Sequence, residues 1–308
     1  MILAVAQAVL LVAGAVVLFV LQRGQDRTLA VTFLLFSATI VTNVDPLYRW
    51  LDPLVGGRNV VTAVSDCLMI AGTSTLLWGV AKAVGADSRW LRTAIIVSCA
   101  VVGVVIVTAF VVLDKPPTTT TFMLVAGAEP AAAVYSIAQT VYLGVALAAT
   151  GWICVLHVRE ARTRTDLVGL WVLVLGGVAG VVRMAVVIVM DLAHVFGDVA
   201  LTRRLSLPYD IATPGAVLCV ASGMLLLVIG HRTARARRAR AVETAIATLT
   251  PLHARMGSDN EYPATADPAR RLSRLIVEIN DGVRSSRSSL DDHARTALAR
   301  AEAALDAS

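Results

Sequence analysis

Residues 92–113, RTAIIVSCAVVGVVIVTAFVVL, open on an arginine and then run for twenty-one residues without another charge. A helix over this stretch is ~33 Å long at ~1.5 Å per residue, enough to cross the ~30 Å hydrocarbon core of a bilayer. Similar apolar stretches lie on both sides of it. Reading outward from 92–113, the chain predicts spans at 1–21, 29–44, 60–84, 92–113, 131–157, 167–192 and 211–230, separated by short charged connections. Hydrophobic residues make up 57% of the 308 and charged residues only 16%, against roughly a quarter charged in a soluble domain. The expected fold is therefore all-α: a seven-transmembrane-helix bundle over 1–230, followed by a short cytoplasmic helical module over 231–308.

Charge sets the expected orientation, because short loops rich in Lys and Arg stay on the cytoplasmic face. Connections after the first, third and fifth spans carry Arg23, Arg27, Lys82, Arg89, Arg92, Arg159, Arg162 and Arg164. Those on the opposite side carry Arg49, Arg58, Lys115, Arg203 and Arg204. The tail adds Arg232, Arg235, Arg237, Arg238 and Arg240 to the richer side, which places the C-terminus inside, the N-terminus outside, and the chain in the plasma membrane as a multi-pass protein. The first apolar run has its positive flank behind it and no basic region in front, a pattern that fits an uncleaved N-out helix better than a signal peptide. Those five arginines are also placed to meet anionic lipid headgroups, at about 1 kcal/mol each.

Ionisable groups at membrane depth are costly, roughly 2.5–3.5 kcal/mol at the centre of a span, and so mark candidate functional positions. Asp66 in the third span and Arg183 in the sixth lie ~9 and ~13 Å below the outer surface at 1.5 Å per residue, so the spacing predicts an ion pair. Tyr135, Gln139 and Tyr142 share one face of the fifth span, Asn43 joins Thr32 and Thr39 on one face of the second, and Asp191 lies two turns beyond Arg183. Together they predict an outward-facing polar cavity able to take a small ligand; interhelical hydrogen bonding explains the same scatter without one. Gly169, Gly176 and Gly180 form a small-residue ridge on the sixth span, matched by Ser136, Thr140, Gly144 and Ala148 on the fifth, a pattern that lets helices approach closely.

Metal and enzyme chemistry find little support. Asp191, His194 and Asp198 have ligand-like spacing but no further His or Cys nearby in the sequence, and Cys67, Cys99, Cys154 and Cys219 all fall inside spans without a CxxC pair, as packing residues do. No phosphate-binding glycine loop is present, so neither cofactor nor catalytic residue is assigned. Thirteen arginines against ten acidic residues in the tail, with no aromatic interleaving, argue against nucleic acid as a partner.

The tail reads as three helical patterns. Val242, Ala245, Ile246, Leu249, Leu252 and Met256 recur at helical spacing, with Thr250-Pro251 expected to interrupt the helix. Asp267-Pro268 reads as an N-cap followed by proline in the first turn. Leu272, Leu275, Ile276, Ile279 and Val283 then line one face, which predicts a docking surface for a cytoplasmic protein. A weaker third helix follows Ser289.

Residues 271–283, RLSRLIVEINDGV, with Leu249-Thr250-Pro251-Leu252-His253 upstream, resemble a segment recurring in a family of actinobacterial multi-pass membrane proteins catalogued as transporters, which bear a C-terminal cytoplasmic domain of unknown function. That resemblance implies the same architecture and a transport label. The residues favour a sensor or signal-transducing protein, since the inner halves of the spans are apolar, with a small-molecule transporter and a membrane scaffold as the competing readings.

Overall fold

A computed structural model describes residues 9, 11–16, 19–20, 27–119, 126–127, 129–161, 163–255, 267–286 and 292–306. Every regular element among them is helical: α1 (Thr28–Thr42), α2 (Asp45–Leu54), α3 (Val60–Ala83), α4 (Arg89–Val112), α5 (Pro130–His157) with a 3-10 turn at Val158–Glu160, α6 (Arg164–Val195), α7 (Val199–Arg255), α8 (Pro268–Ser286) and α9 (Asp292–Asp306). The chain divides into two units, Met1–Ile229 and Gly230–Ser308.

Among the described residues α3 to α7 are each long and apolar enough to cross a membrane, giving five such helices, or six if α1 and α2 count as one. The seven expected from hydropathy are not reached among the described residues, because most of the first stretch lies outside them. The second stretch differs from its expected form. It ends at Thr42, and after Asn43 the chain bends by 89° into α2. The cause is local: Val44 is extended (φ −71°, ψ 121°) and Pro46 occupies the first turn of α2, where its fixed φ favours starting a new helix.

The other boundaries follow from capping. Ser88 Oγ accepts the Leu91 N–H at 3.1 Å, starting α4 three residues before the apolar run begins in earnest. Thr163 and Asp166 form a reciprocal capping box at the head of α6, which satisfies two otherwise orphaned donors. Trp78, Trp90, Trp152 and Trp171 all lie toward the helix ends that carry Lys82, Arg92, Arg159 and Arg164; Trp78 has Lys82 and Arg92 over its ring at 5.9 and 6.0 Å. Tryptophan gathers at membrane-water boundaries, so this end of the bundle marks one of them.

The two larger apolar clusters of the unit each join several helices. One joins Leu11 and Ala15 with Phe33 and Phe36 of α1, Leu76 and Val80 of α3, Cys154 of α5, Leu173 of α6 and Met224 of α7. The other joins Ile70 of α3, Ile106 and Phe110 of α4, and Ala132 and Tyr135 of α5. The glycine ridge of α6 divides between two neighbours: Gly169 and Gly176 meet Gly223 and Val220 of α7, while Gly177 and Gly180 meet Leu147 of α5, and Gly177 also meets Gly151.

In the second unit the end of α7 packs with α8 and α9 around Val242, Leu249, Leu272, Ile276, Ile279, Leu298 and Ala301. This corrects the docking stripe. Leu272, Leu275, Ile276 and Ile279 are at most 7% exposed and Val283 packs against the same core. They are the interior of the unit, so they offer no face to a partner. The expected interruption at Pro251 is also absent, as α7 continues to Arg255, with Thr250 Oγ1 donating to the Ile246 carbonyl at 2.7 Å. Asp267 does cap α8, accepting the Ala269 N–H at 3.4 Å. His253 is buried, with its Nε2 2.6 Å from the Glu278 carboxylate. Of the tail arginines, Arg235, Arg237 and Arg240 are exposed and Arg232 and Arg238 half-buried.

Candidate functional site

The polar side chains of the bundle descend α3 from a knot at its start. Asn59 is wholly buried and left-handed at φ 64°, a conformation asparagine tolerates better than most residues. It follows Gly56, Gly57 and Arg58, which also have positive φ. Asp52 of α2, likewise buried, accepts the Asn59 N–H at 2.9 Å, the Val61 N–H at 3.0 Å and the Thr118 hydroxyl at 2.7 Å. It thereby caps α3 from outside the helix. The Asn59 amide donates to the Pro116 carbonyl at 2.9 Å, while its oxygen accepts from Tyr48 Oη at 2.9 Å and the Thr119 N–H at 2.8 Å. Tyr48 also meets Thr62 Oγ1 at 2.8 Å. Burial pushes the Tyr48 phenol up to about 12, so it stays neutral and can donate at physiological pH.

One turn below Thr62 stands Asp66. Its carboxylate accepts from Tyr135 Oη and has Gln139 within hydrogen-bonding reach. Tyr135 is 1% exposed, with the Phe110 ring 6.1 Å away. Asp66, Tyr135 and Gln139 thus form one group between α3 and α5. Tyr142 is separate and deeper, its hydroxyl 2.6 Å from Ser74 Oγ. Asn43 faces elsewhere on α3, donating to Ser65 Oγ at 2.6 Å and the Thr39 carbonyl at 2.8 Å.

Asp66 and Arg183 do not form an ion pair within 4.0 Å, which corrects the pairing expected from their depths. Two causes are visible. Helix α6 runs on to Val195, three residues beyond its expected end, so Arg183 lies ~18 Å below that end while Asp66 lies ~9 Å below the start of α3. Arg183 also continues the heptad row Gly169, Gly176, Arg183, whose two glycines meet α7. It therefore reaches α7: Nε donates to Thr213 Oγ1 at 3.2 Å and the guanidinium lies over the Tyr209 ring, 5.7 Å from its centroid. Its charge still acts on both Asp66 and Asp191. Asp191 is served by Ser136 and feels His194 on its own helix, while its Oδ2 is buried and has no hydrogen-bond partner among the described residues. Asp198 belongs to a turn and caps α7 by accepting the Leu201 N–H at 2.9 Å.

The polar groups therefore form local pairings between adjacent helices, with Arg183 reaching electrostatically between two of them. Tyr48, Asp52, Asn59, Thr213 and Tyr209 were not singled out in the sequence. Asn59 behind a Gly-Gly-Arg turn was the readable signal, whereas the partners of Arg183 depend on how α6 is rotated. Comparison of the chain with family models, curated proteins and solved structures finds no match.

Proposed function

We propose that this chain is an integral membrane sensor of the plasma membrane, in which charge at the Asp66–Arg183–Asp191 region is relayed along α7 to a tail on the cytoplasmic side. The apolar helices fit a membrane-embedded protein. The observation that carries the relay is the commitment of Arg183, the one cation among these polar groups, to Thr213 and Tyr209 of α7. The same helix supplies Val242 and Leu249 to the core of the second unit. A ligand or proton that altered the field around Arg183 would change its hold on α7, and a change in a continuous helix is a physical route to the tail. A small-molecule ligand and a cytoplasmic partner complete the reading.

The relay is tested by hydrogen exchange on the full-length protein in lipid nanodiscs. Arg183→Gln and Thr213→Val should each change amide exchange severalfold in 242–252 and in α8. Exchange that changes around 183 and 213 but stays at the wild-type rate in both tail segments would contradict the relay.

A further inference from the structure

Helix α2 is amphipathic. At 100° per residue its wheel separates two faces. Tyr48 and Asp52 are 1% and 0% exposed, whereas Trp50 and Leu54, one turn apart on the other side, are 62% and 66% exposed. The buried face is held by the start of α3, with Tyr48 on Asn59 and Thr62 and Asp52 on the Asn59 and Val61 N–H groups, and the connection after α4 joins it through the Thr118 hydroxyl on Asp52 and the Asn59 amide on Pro116. The two connections share one side of the bundle, since α3 and α4 each cross once between them. α2 turns 89° from α1, a fifteen-residue apolar helix, so with α1 upright in the bilayer α2 runs along the membrane plane. With its polar face turned to α3, its apolar face, carrying Trp50 and Leu54, is turned away from the helices.

We propose that α2 is an interfacial anchor that seats Trp50 and Leu54 among lipid acyl chains at the headgroup boundary of that leaflet. Its occupant is hydrocarbon and not headgroup charge, because the exposed pair Asp45 and Arg49 neutralise each other at 3.1 Å. Tryptophan suits this depth, having an apolar ring and one N–H donor. Through Asp52, which caps α3, the anchor also fixes the depth at which α3 begins. The proposal rests on the chain being an integral membrane protein.

The test is tryptophan quenching in full-length protein reconstituted into phosphatidylcholine vesicles whose acyl chains carry bromine near the headgroup or at mid-chain. Wild type is compared with Trp50→Phe, a substitution at an exposed position, and their difference isolates Trp50 from Trp78, Trp90, Trp152 and Trp171. The Trp50 component should be quenched about twofold more by shallow bromine than by mid-chain bromine, resist aqueous acrylamide, and keep this profile when anionic lipid is added. Stronger mid-chain quenching would make α2 part of a broken span, and dominant acrylamide quenching would place it in water; either overturns the anchor. If the tryptophans remaining in Trp50→Phe are also untouched by brominated lipid, the membrane reading itself falls. If they are quenched and Trp50 is not, the anchor alone falls.

Discussion

Asp52→Ala should be the most destabilising single substitution in the first unit outside its apolar core. It removes the shared acceptor of the Asn59 and Val61 N–H groups and the Thr118 hydroxyl. A buried donor left without a partner costs about 1–3 kcal/mol, so the two buried N–H groups alone predict a loss of roughly 2–6 kcal/mol. Asp52→Asn keeps the shape but turns an NH2 group toward backbone donors, and should recover only part of the loss. Asp45→Ala breaks the exposed pair with Arg49, whose side chains are 45% and 68% exposed, and should cost about 0–1 kcal/mol. Thermal unfolding of detergent-solubilised protein measures all three. Similar melting of Asp52→Ala and Asp45→Ala would mean that the knot does not hold the start of α3.

Gly177→Val is the second large effect. A Cβ at Gly177 would lie 2.8 Å from the Leu147 carbonyl oxygen and 3.3 Å from Gly151 Cα. These are backbone atoms, so no rotamer change can make room and α5 and α6 must separate. Overpacking of this kind costs up to about 3 kcal/mol, which lowers Tm by on the order of 5–10 °C in a chain of this size. Gly103→Val is the control, because a Cβ there meets nothing within 4 Å, and it should melt close to wild type. Equal melting of the two variants would contradict the close α5–α6 crossing.

The apolar stretches were readable because hydropathy needs no partner: 60–84 is α3 at Val60–Ala83 and 131–157 is α5 at Pro130–His157. Helix ends moved where caps decide them, at Ser88 and Thr163. The span 29–44 ends close to Thr42, but the helix behind it was hidden, since Asp45, Pro46, Arg49, Asp52 and Pro53 gave Leu47, Trp50, Leu51 and Leu54 the composition of a loop. Depth alone suggested Asp66 with Arg183, but a pair also needs facing rotations, and the row from Gly169 through Arg183 turns toward α7. The α8 stripe shows the same limit: periodicity reveals an apolar face, while the cover supplied by Val242, Leu249 and Leu298 comes from segments distant in sequence. Asp52 lay in what read as a loop, with nothing nearby in sequence to announce its three donors.

The proposed relay requires α7 to cross the membrane, with Phe196 outside and Arg240 inside. Cysteine labelling in intact cells tests it most directly, using Phe196→Cys, at a position 82% exposed before α7, and Arg240→Cys beyond its apolar part, each read above the native-cysteine background with an impermeant maleimide. Cys at 196 should react in intact cells and Cys at 240 only after permeabilisation. Reaction of both positions in intact cells, or of neither until the cells are opened, would contradict it.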